Sequence, residues 1–413
     1  MKRSAPWILV GMLWMVCFFN YADRQAIFSI FPLLQRELGL STIRLGVVAS
    51  SFMWMYALAG PFAGWVSDRI SPRNVILGAL GFWSFMTAAT ALCHTYVSLV
   101  IVRALGGLGE AFYFPAAMVL IASCHGPDTR SRAMSLHQSG VYAGTIAGGA
   151  LSAVLAEHYG WRISFLWFGA AGIGLALVLL RFLPRQQPSA TPSHSDAWLA
   201  EFLSGARSAF HSWRTVLMIA VFMGANFVAF VFLTWTPTFL FTKFHLGLGS
   251  AGFSSTAYIQ IASTVGVLVG GAAADCFAAL RPGGRQAVQA AGLLFGAPFL
   301  FFVGRSLTLP GIIVSMIGFG LFKGIYDANI WASLYDVVPV EHRGVTAGIM
   351  NSFGWLGGGI APVVIAAASQ RFGMSVCLSA TCVIYLVLAA ALLYLSRSIA
   401  AKPSFAITSS SQA

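Results

Sequence analysis

Six residues able to carry charge sit inside long apolar runs of this chain. They are Asp23 and Arg24 within Asn20-Tyr21-Ala22-Asp23-Arg24, Arg103 and Glu110 seven positions apart, and Lys323 and Asp327 four apart. A charge at the centre of a membrane helix costs about 2.5–3.5 kcal/mol on insertion scales, so such residues point to function. Arg103 and Glu110 are two turns apart and share a helix face, about 10.5 Å from each other along the axis. If the helix of Asp23 and that of Glu110 both face one cavity, two carboxylates and two guanidinium groups meet around an aqueous pocket. Burial favours the neutral form of a carboxylate, whereas a neighbouring arginine favours the ionised form. An incoming anion that takes the arginine competes with the carboxylate for it, which links anion binding to protonation. The alternative is a salt-bridge cluster that only fastens helices, a costly way to obtain packing that Leu and Gly would supply. Lys323 and Asp327, flanked by Tyr326 and Asn329, also read two ways. They form either a local i,i+4 ion pair that neutralises itself or a second anion contact, with Lys323 drawing the C-terminal half onto the substrate. Asn226, Thr234, Trp235, Thr236 and Gln260 are further cavity-lining candidates. His137-Gln138 fits either a packed or a cavity-facing position.

The elements that carry these residues follow from composition. Only 9% of the 413 residues are Asp, Glu, Lys or Arg, against roughly 25% in an ordinary soluble domain, and 58% are hydrophobic. So few charges cannot cover a water-facing surface, so the chain is read as an integral membrane protein. The apolar runs are continuous rather than alternating, which selects helices over a barrel. Twelve can be marked: 7–34, 45–66, 75–92, 97–121, 133–156, 163–183, 216–241, 258–274, 287–303, 311–338, 346–368 and 376–395. The one long polar stretch, 184–213, begins as a proline-bearing linker. It continues as an amphipathic helix with Trp198, Leu199, Phe202, Leu203, Ala206 and Phe210 on one face. The expected organisation is a six-helix bundle over 1–183, a cytoplasmic linker over 184–213, a second six-helix bundle over 214–396 and a cytoplasmic tail over 397–413. With twelve spans, fifteen Lys and Arg fall on the side of the termini and six on the other, so both termini are expected in the cytoplasm of a cell inner membrane. The net charge of +12 then belongs to the loops and does not call for nucleic acid. No Gly-x-x-x-x-Gly-Lys-[Ser/Thr], His-Glu-x-x-His or Gly-x-Ser-x-Gly motif occurs, which removes the usual signatures of ATP-driven transport and membrane hydrolysis. No cofactor, metal or enzymatic activity is expected, and the working unit is read as a monomer in the bilayer.

The halves repeat. Asp128-Thr129-Arg130 matches Glu341-His342-Arg343 213 residues later, and Gly144 matches Gly357 at the same spacing. Gly64-x-x-x-Asp68 after the second span recurs as Gly271-x-x-x-Asp275 after the eighth. Parallel repeats of this kind give two bundles that rock about a central site. The loop Gly64-Trp65-Val66-Ser67-Asp68-Arg69-Ile70-Ser71-Pro72-Arg73 resembles the G-x-x-x-D-R-x-G-R-[RK] loop of the major facilitator superfamily. Ser71 stands where Gly is usual and Pro72 where Arg is. The resemblance implies the major facilitator fold, all-α with twelve transmembrane helices, and gating or structural roles for Gly64, Asp68, Arg69 and Arg73; such roles are also expected of Arg130, Asp275 and Arg343 from the repeat and of Asp327 from its pairing with Lys323. Asn20-Tyr-Ala-Asp-Arg24, together with Arg103-Ala-Leu-Gly-Gly-Leu-Gly-Glu110, resembles the anion:cation symporter branch, and spinster-type transporters carry a similar charge set. That branch includes sugar-acid/proton symporters. The resemblance implies that Asp23 and Glu110 carry the coupling protons and that Arg24 and Arg103 engage the substrate carboxylate. Asn20, Tyr21, Tyr56 and Lys323 complete the candidate substrate site. The implied function is proton-coupled symport of a small organic anion such as a sugar acid; the alternative is a lysolipid or drug exporter of the same fold.

Overall fold

Within lipid only a helix satisfies all backbone N–H and C=O groups inside one segment, so apolar runs of this length fold as helices. The computed structural model describes residues 5–184 and 195–401. The side chains of residues 5, 64, 65, 67, 68, 127, 131 and 195–202 lie outside the described set, and with them the roles expected of the Gly64 and Asp68 side chains. In chain order the helices are α1 (Ala5–Ser29), α2 (Phe31–Leu38), α3 (Thr42–Arg69), α4 (Pro72–Thr90), α5 (Tyr96–Ala111), α6 (Tyr113–Cys124), α7 (Pro127–Tyr159) and α8 (Trp161–Phe182). They continue as α9 (Ser195–His211), α10 (Trp213–Phe244), α11 (Leu248–Leu280), α12 (Gly284–Arg305), α13 (Leu309–Asp327), α14 (Ile330–Tyr335), α15 (Arg343–Phe372) and α16 (Met374–Ala401). Among the described residues, 11 helical segments are long and apolar enough to cross a membrane, with α5–α6 and α13–α14 each counted as one crossing. The nineteen-residue α4, which begins with Pro72-Arg73-Asn74, is less apolar and makes the twelfth. The first six crossings form one bundle and the last six the other.

Two crossings break where proline removes a donor. Pro115 has no N–H for the carbonyl of Ala111, and α5 stops at Ala111 before α6 resumes at Tyr113. Pro32, in the first turn of α2, ends the first crossing in the same way. The α13–α14 break is held by side chains instead. Gln289 donates to the carbonyl of Tyr326 at 3.2 Å, and the Asn329 amide donates to the carbonyl of Gly270 at 3.1 Å. Irregular backbone at membrane depth is tolerated where protein groups meet its polar atoms in this manner.

Close helix approach is built on small residues. Gly140, Gly144 and Gly148 of α7 lie on the backbone of Trp14, Phe18 and Ala22 of α1, one turn after another. A Cβ at Gly144 or Gly148 would collide with the carbonyl oxygen beneath it. Gly357 of α15 meets the Met223 carbonyl of α10 in the same way, so the repeat read from the sequence is also a repeat of packing. The two bundles touch along α3 with α15 and along α7 with α11. Several contacts lie on the membrane face that bears the α1–α3 turn, the face away from the termini, where Gly46 meets the Pro362 backbone. There the Gln25 amide donates to the carbonyl of Leu233 at 3.0 Å, and the Gly249 N–H donates to Glu157 at 2.8 Å. The rings of Phe31 and Trp235 meet at 5.5 Å. Helix α9 rests on the start of α15, with Gly205 against Val345 and Phe210 edge-on to Phe353. Leu203 and Phe210 of α9 stay exposed, as an interfacial helix requires.

Candidate functional site

The glycine stripe of α7 fixes the rotation of α1 and turns Asn20, Asp23 and Arg24 into the bundle. Gly107 lies on the backbone of Phe52 in α3, bringing α5 close enough for Arg103 and Glu110 to reach the same centre. All four charges therefore converge, but in crossed pairs. Glu110 accepts from Arg24 Nη2 at 2.6 Å and from its Nε at 3.2 Å, both on the same carboxylate oxygen. Asp23 stands 3.8 Å from Arg103 Nη1, an ion-pair distance too long for a hydrogen bond, and it accepts from the Thr87 hydroxyl of α4. Asp23 and Arg24 are 5% exposed, Arg103 3% and Glu110 1%, so the cluster is closed off from bulk solvent in this conformation. Burial strengthens each pairing electrostatically and raises the cost of any group left unpaired. The one tight and one loose pair thus give the two carboxylates different environments.

Arg24 is the hub. Its Nη2 also donates to Asn20 Oδ1 at 3.1 Å. Four rings surround its guanidinium: Tyr21 at 4.5 Å, Trp355 at 4.6 Å, Phe52 at 5.1 Å and Tyr56 at 5.1 Å from ring centroid to Cζ. Each such contact is worth about 0.5–2 kcal/mol, more as water is excluded. Phe52 also lies 4.8 Å from the Arg103 guanidinium, so one ring serves both arginines and reduces their mutual repulsion. Trp355 belongs to α15, in the opposite bundle, and packs at a tilt against Tyr56 with centroids 4.3 Å apart. The site is therefore shared between bundles. Among the described residues, Arg24 Nη1, Asn20 Nδ2, and Arg103 Nε and Nη2 have no hydrogen-bond acceptor in the protein, although all are buried. A planar guanidinium with an open N–H, walled by rings, is suited to grip a carboxylate.

Phe52, Thr87 and Trp355 were not anticipated from the sequence. Phe52 and Thr87 carry no charge and follow no motif. Trp355 had a signal: it is a large ring inside Gly354-x-x-Gly357-Gly358-Gly359, a run otherwise specialised for close packing.

The remaining candidates are spread through the fold. Lys323 and Asp327 hydrogen-bond to each other on α13, beside a cavity of about 120 Å³ lined in part by Asn226 and Tyr326. His137 is fully buried, 2.7 Å from the Tyr113 hydroxyl, which donates to the carbonyl of Leu13. Arg73 donates to the carbonyls of Leu180 and Leu183, tying the α3–α4 turn to the end of α8. Arg69 ends α3. Asp275 lies 3.8 Å from Arg285, which also bonds Asp336 at 2.9 Å. Arg130 donates to the carbonyl of His125, and Arg343 to that of Tyr335. These eight are brought to the helix ends on the face of the termini, or packed inside one bundle, and do not join the central cluster.

The chain is similar to a probable galactarate/D-glucarate transporter of Bacillus subtilis (strain 168), 28% identical over 88% of this chain and 86% of that protein. It is also 28% identical to a hexuronate transporter of the same organism, over 88% of this chain and 87% of the relative. In fold it matches a bacterial homologue of the human lysosomal transporter spinster, with a TM-score of 0.85 and 18% identity over 98% of this chain and all of that one. The family model described as Major Facilitator Superfamily matches residues 13–362. A multi-pass membrane protein of two repeated helical bundles, with a shared charged centre and no enzyme among these relatives, the chain belongs to the major facilitator superfamily of transporters.

Proposed function

We propose that the chain is a proton-coupled symporter of a small organic anion, a sugar acid, working by alternating access across the cell inner membrane with both termini in the cytoplasm. The observation that carries this is the position of Arg24. It is held by Glu110 within one bundle, is capped by Trp355 of the other, and keeps an N–H open. An anion binding there takes arginine donors from Glu110, whose buried carboxylate then favours a proton. Substrate and proton are thereby bound together, and their charges offset before the site moves across the membrane. Asp23, loosely paired to Arg103 and accepting from Thr87, is the second protonatable carboxylate. Trp355 ties the second bundle directly to the guanidinium that would hold the anion. The transporters of galactarate/D-glucarate and of hexuronate among the relatives support the substrate class.

The contacts between bundles on the face away from the termini fit a state closed on that side, and alternating access requires them to part. Lysolipid or drug export is the competing function of the same fold. The ring-walled arginine argues for a compact anion rather than an acyl chain. The test is uptake of radiolabelled D-glucarate or D-glucuronate into proteoliposomes, with an outward-acid pH gradient and a protonophore as control. Gradient-driven accumulation that the protonophore abolishes is expected. Equal uptake with and without the gradient contradicts proton coupling.

A further inference from the structure

The two bundles carry equivalent positions at their centres, and the equivalence reaches the charged residues. Gly107 of α5 lies on the Phe52 backbone of α3, and Gly320 of α13 lies on the Ile259 backbone of α11. The same spacing that relates Gly107 to Gly320 relates Leu108 to Leu321, Glu110 to Lys323 and Tyr113 to Tyr326. On the partner helices, Gly144 meets Phe18 where Gly357 meets Met223, and that register sets Ala229 of α10 where α1 has Arg24. The C-terminal bundle is thus a counterpart of the N-terminal site with the charge on the α5-equivalent helix reversed and the facing long side chain removed.

The consequence is physical space. Where Arg24 fills the N-terminal bundle, Ala225, Asn226, Ala229, Lys323, Tyr326 and Asp327 line a cavity of about 120 Å³, well above the roughly 10–15 Å³ that one water needs. Its cation is Lys323, neutralised by Asp327 from one turn along its own helix. Both side chains keep part of their surface open, at 17% and 24%, in contrast to the sealed Arg24–Glu110 pair.

We propose that this cavity is a second anion subsite, in which Lys323 receives the distal carboxylate of a diacid substrate whose first carboxylate is held at Arg24. The assignment rests on Arg24 being the first anion contact. Asp327 keeps the ammonium in place when the subsite is empty and is displaced by the substrate carboxylate. Each bundle then holds one end of the substrate, and a diacid draws the two together in a way that a monoacid does not.

Calorimetric titration of the purified full-length chain with D-glucarate and with D-gluconate, its six-carbon monoacid counterpart, tests this. Lys323→Met/Asp327→Asn removes the ammonium without stranding its counter-ion, and Ala229→Leu fills the cavity without changing charge. In both variants the glucarate-over-gluconate affinity ratio is expected to fall at least about tenfold, the size of one hydrogen bond to a charged group. A smaller fall in Ala229→Leu, or in the double variant if it folds, overturns the subsite. If the unaltered chain binds neither acid, the Arg24 site falls as well; if it binds both and the ratio does not move, only the subsite falls.

Discussion

In the proposed mechanism Arg24 and Glu110 act as a pair, and their geometry predicts how each fails. Glu110→Gln keeps the shape and loses the exchangeable proton, and Asp23→Asn does the same on the looser pair. In either variant, accumulation driven by a pH gradient should vanish while counterflow of labelled against unlabelled substrate persists. Unchanged gradient-driven uptake in both would remove the carboxylates from the coupling step. Arg24→Lys keeps the charge that Glu110 needs but loses the planar fork and its stacking among Tyr21, Phe52, Tyr56 and Trp355. Substrate affinity is expected to fall at least about tenfold in binding assays. The charges themselves were legible in the sequence, because a charge inside an apolar run is conspicuous. Their crossed pairing was not, since Arg103 and Glu110 share a helix face and only the rotation of α1 shows which charge each meets. The aromatic wall was half legible: Tyr21 and Tyr56 followed from resemblance, whereas Phe52 and Trp355 depend on contacts between helices far apart in sequence.

At the scale of the elements, glycine decides how near two helices can come. Two glycines of α8 make a direct comparison. Gly169 lies against the backbone and Cβ of Ala88 in α4, whereas nothing lies within 4 Å of a Cβ built on Gly174. Gly169→Ala should lower the melting temperature in detergent, since overpacking costs about 1–3 kcal/mol. Gly174→Ala should leave it unchanged or raise it, because alanine gains up to about 1 kcal/mol in helix propensity. Equal effects of the two substitutions would contradict the packing. Twelve spans could be read from hydropathy, α4 among them, and the distribution of Lys and Arg supported that number. The breaks after Ser29 and Ala111 trace to Pro32 and Pro115, which the apolar runs concealed. The break after Asp327 has no proline and depends on Gln289 and Asn329, whose partners lie on other helices.

For the whole molecule, the proposed alternating access requires two bundles that share one site to exchange which face is closed. Gly249 and Val154 touch across the bundles on the face away from the termini. A Val154→Cys/Gly249→Cys pair in a background without other cysteines should crosslink there, and crosslinking should stop transport reversibly until a reductant is added. Full transport by the crosslinked protein would show that this contact does not open during the cycle. The glycine and charge repeats revealed the two-bundle plan in the sequence, but not how far the equivalence of the centres extends, because α1 and α10 share no motif. The central claim is that anion and proton cross together through Arg24 and Glu110. Its most direct measurement is the internal pH of proteoliposomes, followed with a trapped dye while D-glucarate is added outside in the absence of any imposed gradient. The interior should acidify in step with glucarate entry, and should not do so with Glu110→Gln. Glucarate entry with no change in internal pH would contradict the claim.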